Sequence, residues 1–168
     1  MNESDSPFAI LVKHQVKPPV DLNAIARDFG ITIYNLDLGE EISGQIMRDR
    51  IKGGKSGFAI YINSKHHPNR QRFTLAHEIS HFILHRDLIE SGVIDDTMYR
   101  SQELNSYYES QANRMAADIL MPIRLVKTYM PKYPRVEELA RVFGVSKGAM
   151  EIRLKNIKPQ NDQTSLDF

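Results

Sequence analysis

An α+β fold is predicted, with a small antiparallel or mixed sheet packed on a buried helix and further helices C-terminal to it. Three observations predict it. Short strand-like stretches sit in the first third of the chain. The run Arg72 to His85 is apolar over a wide arc at helical length. Two later runs carry apolar residues at helical spacing.

The elements follow in chain order. Asp21 to Phe29 reads as a short helix stopped by Gly30. Ile31 to Asn35 then alternates like a strand. A second extended stretch covers about Ile42 to Arg48, and a third runs from Gly57 to Asn63. The intervening I-K-G-G-K-S-G reads as a hairpin tip. It is not a phosphate loop, because the G-x-x-x-x-G-K-[ST] spacing is missing. Arg72 to His85 is the buried helix, with Phe73, Leu75, Ala76, Ile79, Phe82, Ile83 and Leu84 as its apolar surface. Arg86 to Gln102 is a mixed segment, readable as a loop over a cleft. Asn105 to Met121 is a second helix, with Tyr108, Ala112, Met115, Ala116, Ile119 and Leu120 on one face. Beyond Pro131 and Pro134, Val136 to Ile157 reads as helix, tight turn at Gly144, then a helix capped by Ser146.

Composition narrows the function classes. At 168 residues there is room for one real core. The expected organisation is a core over 8–131, a helical pair over 132–158 packed on it, and a flexible tail over 159–168. A net charge of +1 points to no strongly charged partner. The chain has no cysteine, which excludes thiolate ligands, disulfides and cysteine nucleophiles, and fits a reducing compartment. No apolar run is long enough to cross a membrane, and the polar start M-N-E-S-D-S-P is no secretory signal. A cytoplasmic location is expected, with no membrane partner.

The chemistry concentrates in His77-Glu78-x-x-His81. Residues four apart on a helix share a face, so both imidazoles can reach one metal. Glu78 is turned by about 100° from His77, beside the metal rather than on it. There it can take a proton from a water whose pKa a zinc ion lowers. The competing reading is a pair of histidines making ordinary hydrogen bonds. The apolar surroundings favour the metal, since buried polar groups need partners. His85 lies one turn further on. Three histidines at this spacing span about 12 Å of axis, too far to close on one ion, so His85 is expected to support a ligand.

A catalytic zinc takes three protein ligands and keeps one open position. The third ligand must come from elsewhere: His14, His66 and His67 are the other histidines. Glu109, on the second helix, is the stronger candidate. Ala112, Ala116 and Ala117 would let that helix approach the first closely. The bland alternative is that Glu109 is a solvated helix charge.

R-F-T-L-A-H-E-I-S-H-F-I-L-H followed by E-S-Q-A-N-R-M-A-A-D-I-L-M-P resembles the ImmA/IrrE metallopeptidase family, a compact gluzincin-like group. The resemblance runs from about Leu22 to Asn156 and is tight at the two motifs. It implies a zincin-like domain with one zinc per chain, held by His77, His81 and Glu109, with Glu78 as catalytic base. Manganese or iron could also occupy such a two-His, one-carboxylate set. Many gluzincins place an aspartate four residues after the ligand glutamate. This chain has Asn113, which can still accept a hydrogen bond from a ligand imidazole. The resemblance also implies a substrate: a helix-turn-helix repressor, cut once on stress or mobile-element induction. Two other functions remain in view. One is a regulator or toxin–antitoxin component that binds a repressor or antitoxin without cutting it. The other is DNA binding through the C-terminal pair, where seven Lys or Arg face three Glu between Lys132 and Lys158. Direct DNA reading ranks last, because Gly148 offers no side chain in the first turn of the would-be recognition helix.

Overall fold

The computed structural model describes residues 6–90 and 102–157, the side chains of 102–105 excepted. Seven helices and three strands lie among them: α1 (Pro7–His14), α2 (Leu22–Asp28), β1 (Thr32–Leu36), β2 (Gly44–Arg48), β3 (Phe58–Asn63), α3 (Pro68–Glu90), α4 (Gln102–Leu120), α5 (Ile123–Tyr129), α6 (Val136–Phe143) and α7 (Lys147–Ile157). The fold is α+β. The sheet is mixed, in the order β1-β3-β2, with β1 parallel and β2 antiparallel to β3.

Local chemistry sets the boundaries. The Asp21 side chain accepts from the Ala24 N–H and caps α2, and Gly30, at φ 70°, turns the chain into β1. Asp49 organises the β2–β3 turn: its carboxylate accepts from the N–H groups of Ile51 and Lys52, and its own N–H reaches the Gly57 carbonyl. Gly144, at φ 65°, ends α6, and Ser146 accepts from the Ala149 N–H to start α7.

β3 is the buried centre of the sheet, with Phe58, Ile60 and Ile62 in the core. Each such side chain contributes about 1.5–3 kcal/mol on burial. The central strand packs on α3 through a Phe58–Phe82 edge contact, ring centres 5.2 Å apart. Leu139, Phe143 and Met150 of α6 and α7 join the same apolar cluster. α3 also holds the α6–α7 turn by polar bonds. Asn69 donates to the Val145 carbonyl, and Arg72 donates to the carbonyls of Gly144 and Val20.

The helices differ from the expectation at α1, α3 and α5, the last a helix after Pro122 that the elements read from the sequence do not include. α1 has no counterpart in the sequence reading. Its run Phe8 to Val12 is apolar without a helical period, and only Leu11 is buried. α3 continues to Glu90, through residues expected in a loop, and departs from helical geometry at His85 (φ −130°, ψ 22°). The remainder of that expected loop, with Gly92, Asp95, Asp96 and Tyr99, lies outside the described residues, as does the tail 159–168. Phe73 and Leu84 are exposed (38% and 41%), so the buried face of α3 is narrower than the apolar count suggested.

Candidate metal centre

α3 and α4 are the principal walls of the site. A cleft of about 420 Å³ opens between α3, α4 and the edge strand β2. From α3 it takes Arg70, Phe73, Thr74, His77, Glu78 and His81, one face of the helix over three turns. α4 adds Glu109 and Asn113, again one turn apart.

Three donor groups converge. The Nε2 atoms of His77 and His81 are 3.0 Å apart. Each lies 3.2 Å from a different Glu109 carboxylate oxygen. His77, His81 and Glu109 are therefore placed so that they could hold one ion. Tetrahedral zinc with bonds of about 2.0–2.1 Å has ligand atoms about 3.3–3.4 Å apart, close to this triangle.

The surrounding hydrogen bonds decide which ring nitrogens face inward. Asn113 Oδ1 lies 3.0 Å from His77 Nδ1 and accepts its proton, which leaves a lone pair on Nε2. Gln111 Oε1 accepts from His85 Nε2, 3.0 Å away. His85 Nδ1 must then accept from His81 Nδ1, also at 3.0 Å, and His81 Nε2 keeps its lone pair. Two lone pairs and a carboxylate thus face one another. One proton can satisfy a single pair of them, whereas a divalent cation satisfies all three. The donor set fits a metal.

The electrostatics agree. In the metal-free site, protons taken up at His77 or His81 Nε2 are donated to Glu109 and hold its carboxyl far below the usual carboxylate range. Burial opposes a charge on His77. The Glu109 hydrogen bond, the charges of Glu78 and Glu109 and the Asn113 bond outweigh it and raise the His77 pKa. Glu78 is raised too, by burial first and then by the charge of Glu109. The charges of His77 and His81, with a backbone bond from Ile46, pull the other way. Burial lowers the pKa of His85, which keeps that ring neutral in its bridging role.

A proton on His77 Nε2 competes with a metal. Because the His77 pKa lies above 6.5, apparent zinc affinity is expected to rise with pH through that value and level off only above the raised one. A chelator-competition titration over about pH 6–9 measures this. An affinity independent of pH across that range would exclude His77 as the displaced group.

β2 completes the cleft. The bonds Asn63 N–H to Ser43 O and Asp49 N–H to Gly57 O, both 2.9 Å, fix alternate residues of β2 as those paired to β3. The backbone groups of Gly44, Ile46 and Arg48 therefore point away from β3, along the outer edge of the sheet. Gly44 sits hard against α3. A Cβ there would run into the Thr74 side chain and come within 2.8 Å of the Tyr61 carbonyl oxygen.

The matches to known proteins now bear on this geometry. A family model, the IrrE N-terminal-like domain, matches residues 26–155. The chain belongs to the ImmA/IrrE family. The matched region contains every site residue named above. The chain is 40% identical over 92 residues to the radiation response metalloprotease IrrE of Deinococcus deserti, covering 52% of this chain and 32% of that protein. It is 41% identical over 91 residues to the same-named protein of Deinococcus radiodurans, covering 52% of this chain and 27% of that protein. The match thus spans about a third or less of these curated relatives. A Mycobacterium tuberculosis transcriptional regulator shares the fold: TM-score 0.64 at 20% identity, over 95% of this chain and 49% of that one.

The structure brings together all six residues singled out from the sequence: His77, Glu78, His81, His85, Glu109 and Asn113. His14, His66 and His67 are outside the cleft lining. His14 is bound to Asp28, and His67 accepts from the Asn69 N–H at the start of α3. Tyr107 and Tyr108 of α4 do not line the cleft either. Tyr108 stacks edge-on against His85 instead. Sequence reasoning missed two residues. Arg70 is a cation in the cleft, with its guanidinium 2.8 Å from Ser43 Oγ. It lies seven residues before His77, two turns along the same face, and that spacing could have found it. Gln111 had no such signal, because its role depends on where α4 crosses α3.

Proposed function

We propose that the protein is a zinc-dependent endopeptidase that makes limited cuts in a regulatory protein. On this reading residues 8–131 are the catalytic core and 132–158 a helical pair that braces it. The observation that carries the reading is the inward-facing triangle of His77, His81 and Glu109, with the buried carboxyl of Glu78 in the same cleft. The names of the Deinococcus relatives support a metal-dependent proteolytic role.

Zinc in such a set would act as a Lewis acid and lower the pKa of water towards 7. Glu78 would take a proton from that water on a carboxylate oxygen and hand it to the departing amine nitrogen. Burial raises its pKa towards the working pH, which suits both transfers. His85 and Asn113 would orient the two imidazoles through their Nδ1–H groups. The outer backbone edge of β2, Gly44 to Arg48, at which Ile46 bonds Glu78 in this structure, would add the substrate as a further strand. Arg70 would offer its guanidinium to a carbonyl or carboxylate of the bound chain.

The substrate proposed is a helix-turn-helix repressor, and its cleavage would relieve repression. The experiment is incubation of the zinc-loaded protein with candidate helix-turn-helix repressors from the same genome, followed by mass spectrometry. A single new pair of fragments is expected. Release of the repressor from its operator with the chain still intact would instead favour a regulator or antitoxin partner that works by binding.

Direct DNA reading finds little support in α7. Its exposed positions include Gly148, Glu151 and Ile152, and Lys147 is already paired with Glu137 at 2.6 Å. No helix among the described residues is long and apolar enough to cross a membrane.

A further inference from the structure

A second concavity lies on the far side of α4 from the cleft. It measures about 770 Å³ and runs between α1, α4 and α5. Its lining includes Phe8, Val12, Tyr107 and Ile123, which are 60%, 64%, 58% and 47% exposed. Large apolar groups so open to water mark an interaction surface when they are contiguous. One wall, α1, lies outside the residues that match the family.

We propose that this groove receives an acidic amphipathic helix of a protein partner, and that its occupancy is felt at the metal centre. Three features select that occupant. Along α4 the lining runs from Tyr107 to Ile119, about 18 Å at 1.5 Å per residue, the length of a three-turn helix. The lining residues lie chiefly on helices, whose backbone groups are already paired within themselves. No strand residue is among them. An extended peptide would find no backbone partners here, whereas a helix brings its own hydrogen bonds. The charge at the groove is positive: Arg114, Arg124 and Arg153 stand against Asp118. Asp118 is paired with the buried Arg153 at 2.7 Å, and among the described residues Arg124 donates to the Gln15 carbonyl and to no carboxylate. Among the described residues Arg114 faces no carboxylate. Two separate cations on two helices suit a segment carrying several carboxylates better than an acyl chain carrying one.

The link to the metal centre is structural. Gln111 and Leu84 both line the groove. Gln111 bonds His85, His85 bonds His81, and α3 leaves helical geometry at His85. A helix seated on Gln111 therefore acts two hydrogen bonds from a proposed ligand. This second part rests on the zinc reading, while the docking part does not.

The test uses the full chain and a synthetic 14-residue helical peptide with leucines on one face and glutamates on both flanks. Its control is the same peptide with lysines in place of the glutamates. Binding is read by fluorescence anisotropy. The glutamate peptide is expected to bind at least about tenfold more tightly than the lysine peptide, with Arg114→Glu removing that preference. Val12→Glu, at an exposed position, should abolish binding of both while the circular dichroism spectrum stays unchanged. Equal binding of the two peptides, or indifference to Val12→Glu, would overturn the docking proposal. So would decanoate binding in place of the peptide, or a dimer that Val12→Glu dissociates. A tenfold gain in peptide affinity on deletion of residues 158–168 would put this chain's own segment in the groove and also overturn it. Saturating glutamate peptide is expected to shift apparent zinc affinity by about tenfold, the scale of outer-layer effects on a metal. An unchanged zinc affinity at saturation overturns the coupling. A protein that binds the peptide but no zinc would instead fail the metal reading and leave the docking result standing.

Discussion

Glu78→Gln is expected to retain one zinc per chain and lose cleavage by roughly 10³-fold, within the 10²–10⁴ range of general acid–base catalysis. The amide keeps the shape of the side chain but cannot accept a proton from water. A merely structural Glu78 would show itself differently, in stability. The sign can be worked out. Burial raises the folded-state pKa of Glu78 above its unfolded value. Its contribution to stability is therefore fully present below about pH 4.5 and lost as pH rises through the folded value. At neutral pH the neutral glutamine removes the cost of a buried charge. The metal-free variant should melt no lower than the wild type, and its stability should fall less as pH rises above 4.5. Lost cleavage together with retained zinc and retained stability places Glu78 in the chemistry. Lost stability at neutral pH would place it in the scaffold.

The second large effect is expected at Glu109. Zinc sites bind with about 10–16 kcal/mol over four ligands, or about 2.5–4 kcal/mol each. Glu109→Ala should therefore weaken zinc binding by about 10²–10³-fold. It also leaves two imidazole lone pairs 3.0 Å apart with no carboxylate between them. His77→Ala should cost as much. Asn113→Ala and His85→Leu disturb only the orientation of a ligand and should cost about 10–100-fold. This grading, measured by chelator competition, separates the two layers. If Glu109 were only a half-exposed helix charge, its removal would cost less than the loss of His85.

Much of this site was legible before the fold. The spacing of His77 and His81 requires only a helix, and the apolar run around them supplies one. The distance argument that removed His85 from the ligand set is consistent with its place behind His81, bonded Nδ1 to Nδ1. Asp21 and Gly30 marked the ends of α2 because a cap and a left-handed turn are local chemistry. What was not legible depends on contacts between elements. β1 pairs with β3 rather than with its sequence neighbour β2, and no local pattern encodes that choice. α1 hid because a continuous apolar run has no period. Gln111 gained its place only through the approach of α4 to α3. The exposure of Phe73 and Leu84 shows the limit of an apolar count, since one helix here serves a cleft and a groove as well as the core.

The central claim is that His77, His81 and Glu109 hold one zinc ion. Anomalous diffraction from zinc-loaded crystals, recorded on both sides of the zinc edge, tests it most directly. The account predicts one strong peak per chain, about 2.0–2.2 Å from His77 Nε2, His81 Nε2 and a Glu109 oxygen. A peak at His66 and His67 instead, or none in the cleft of zinc-saturated protein, would contradict it.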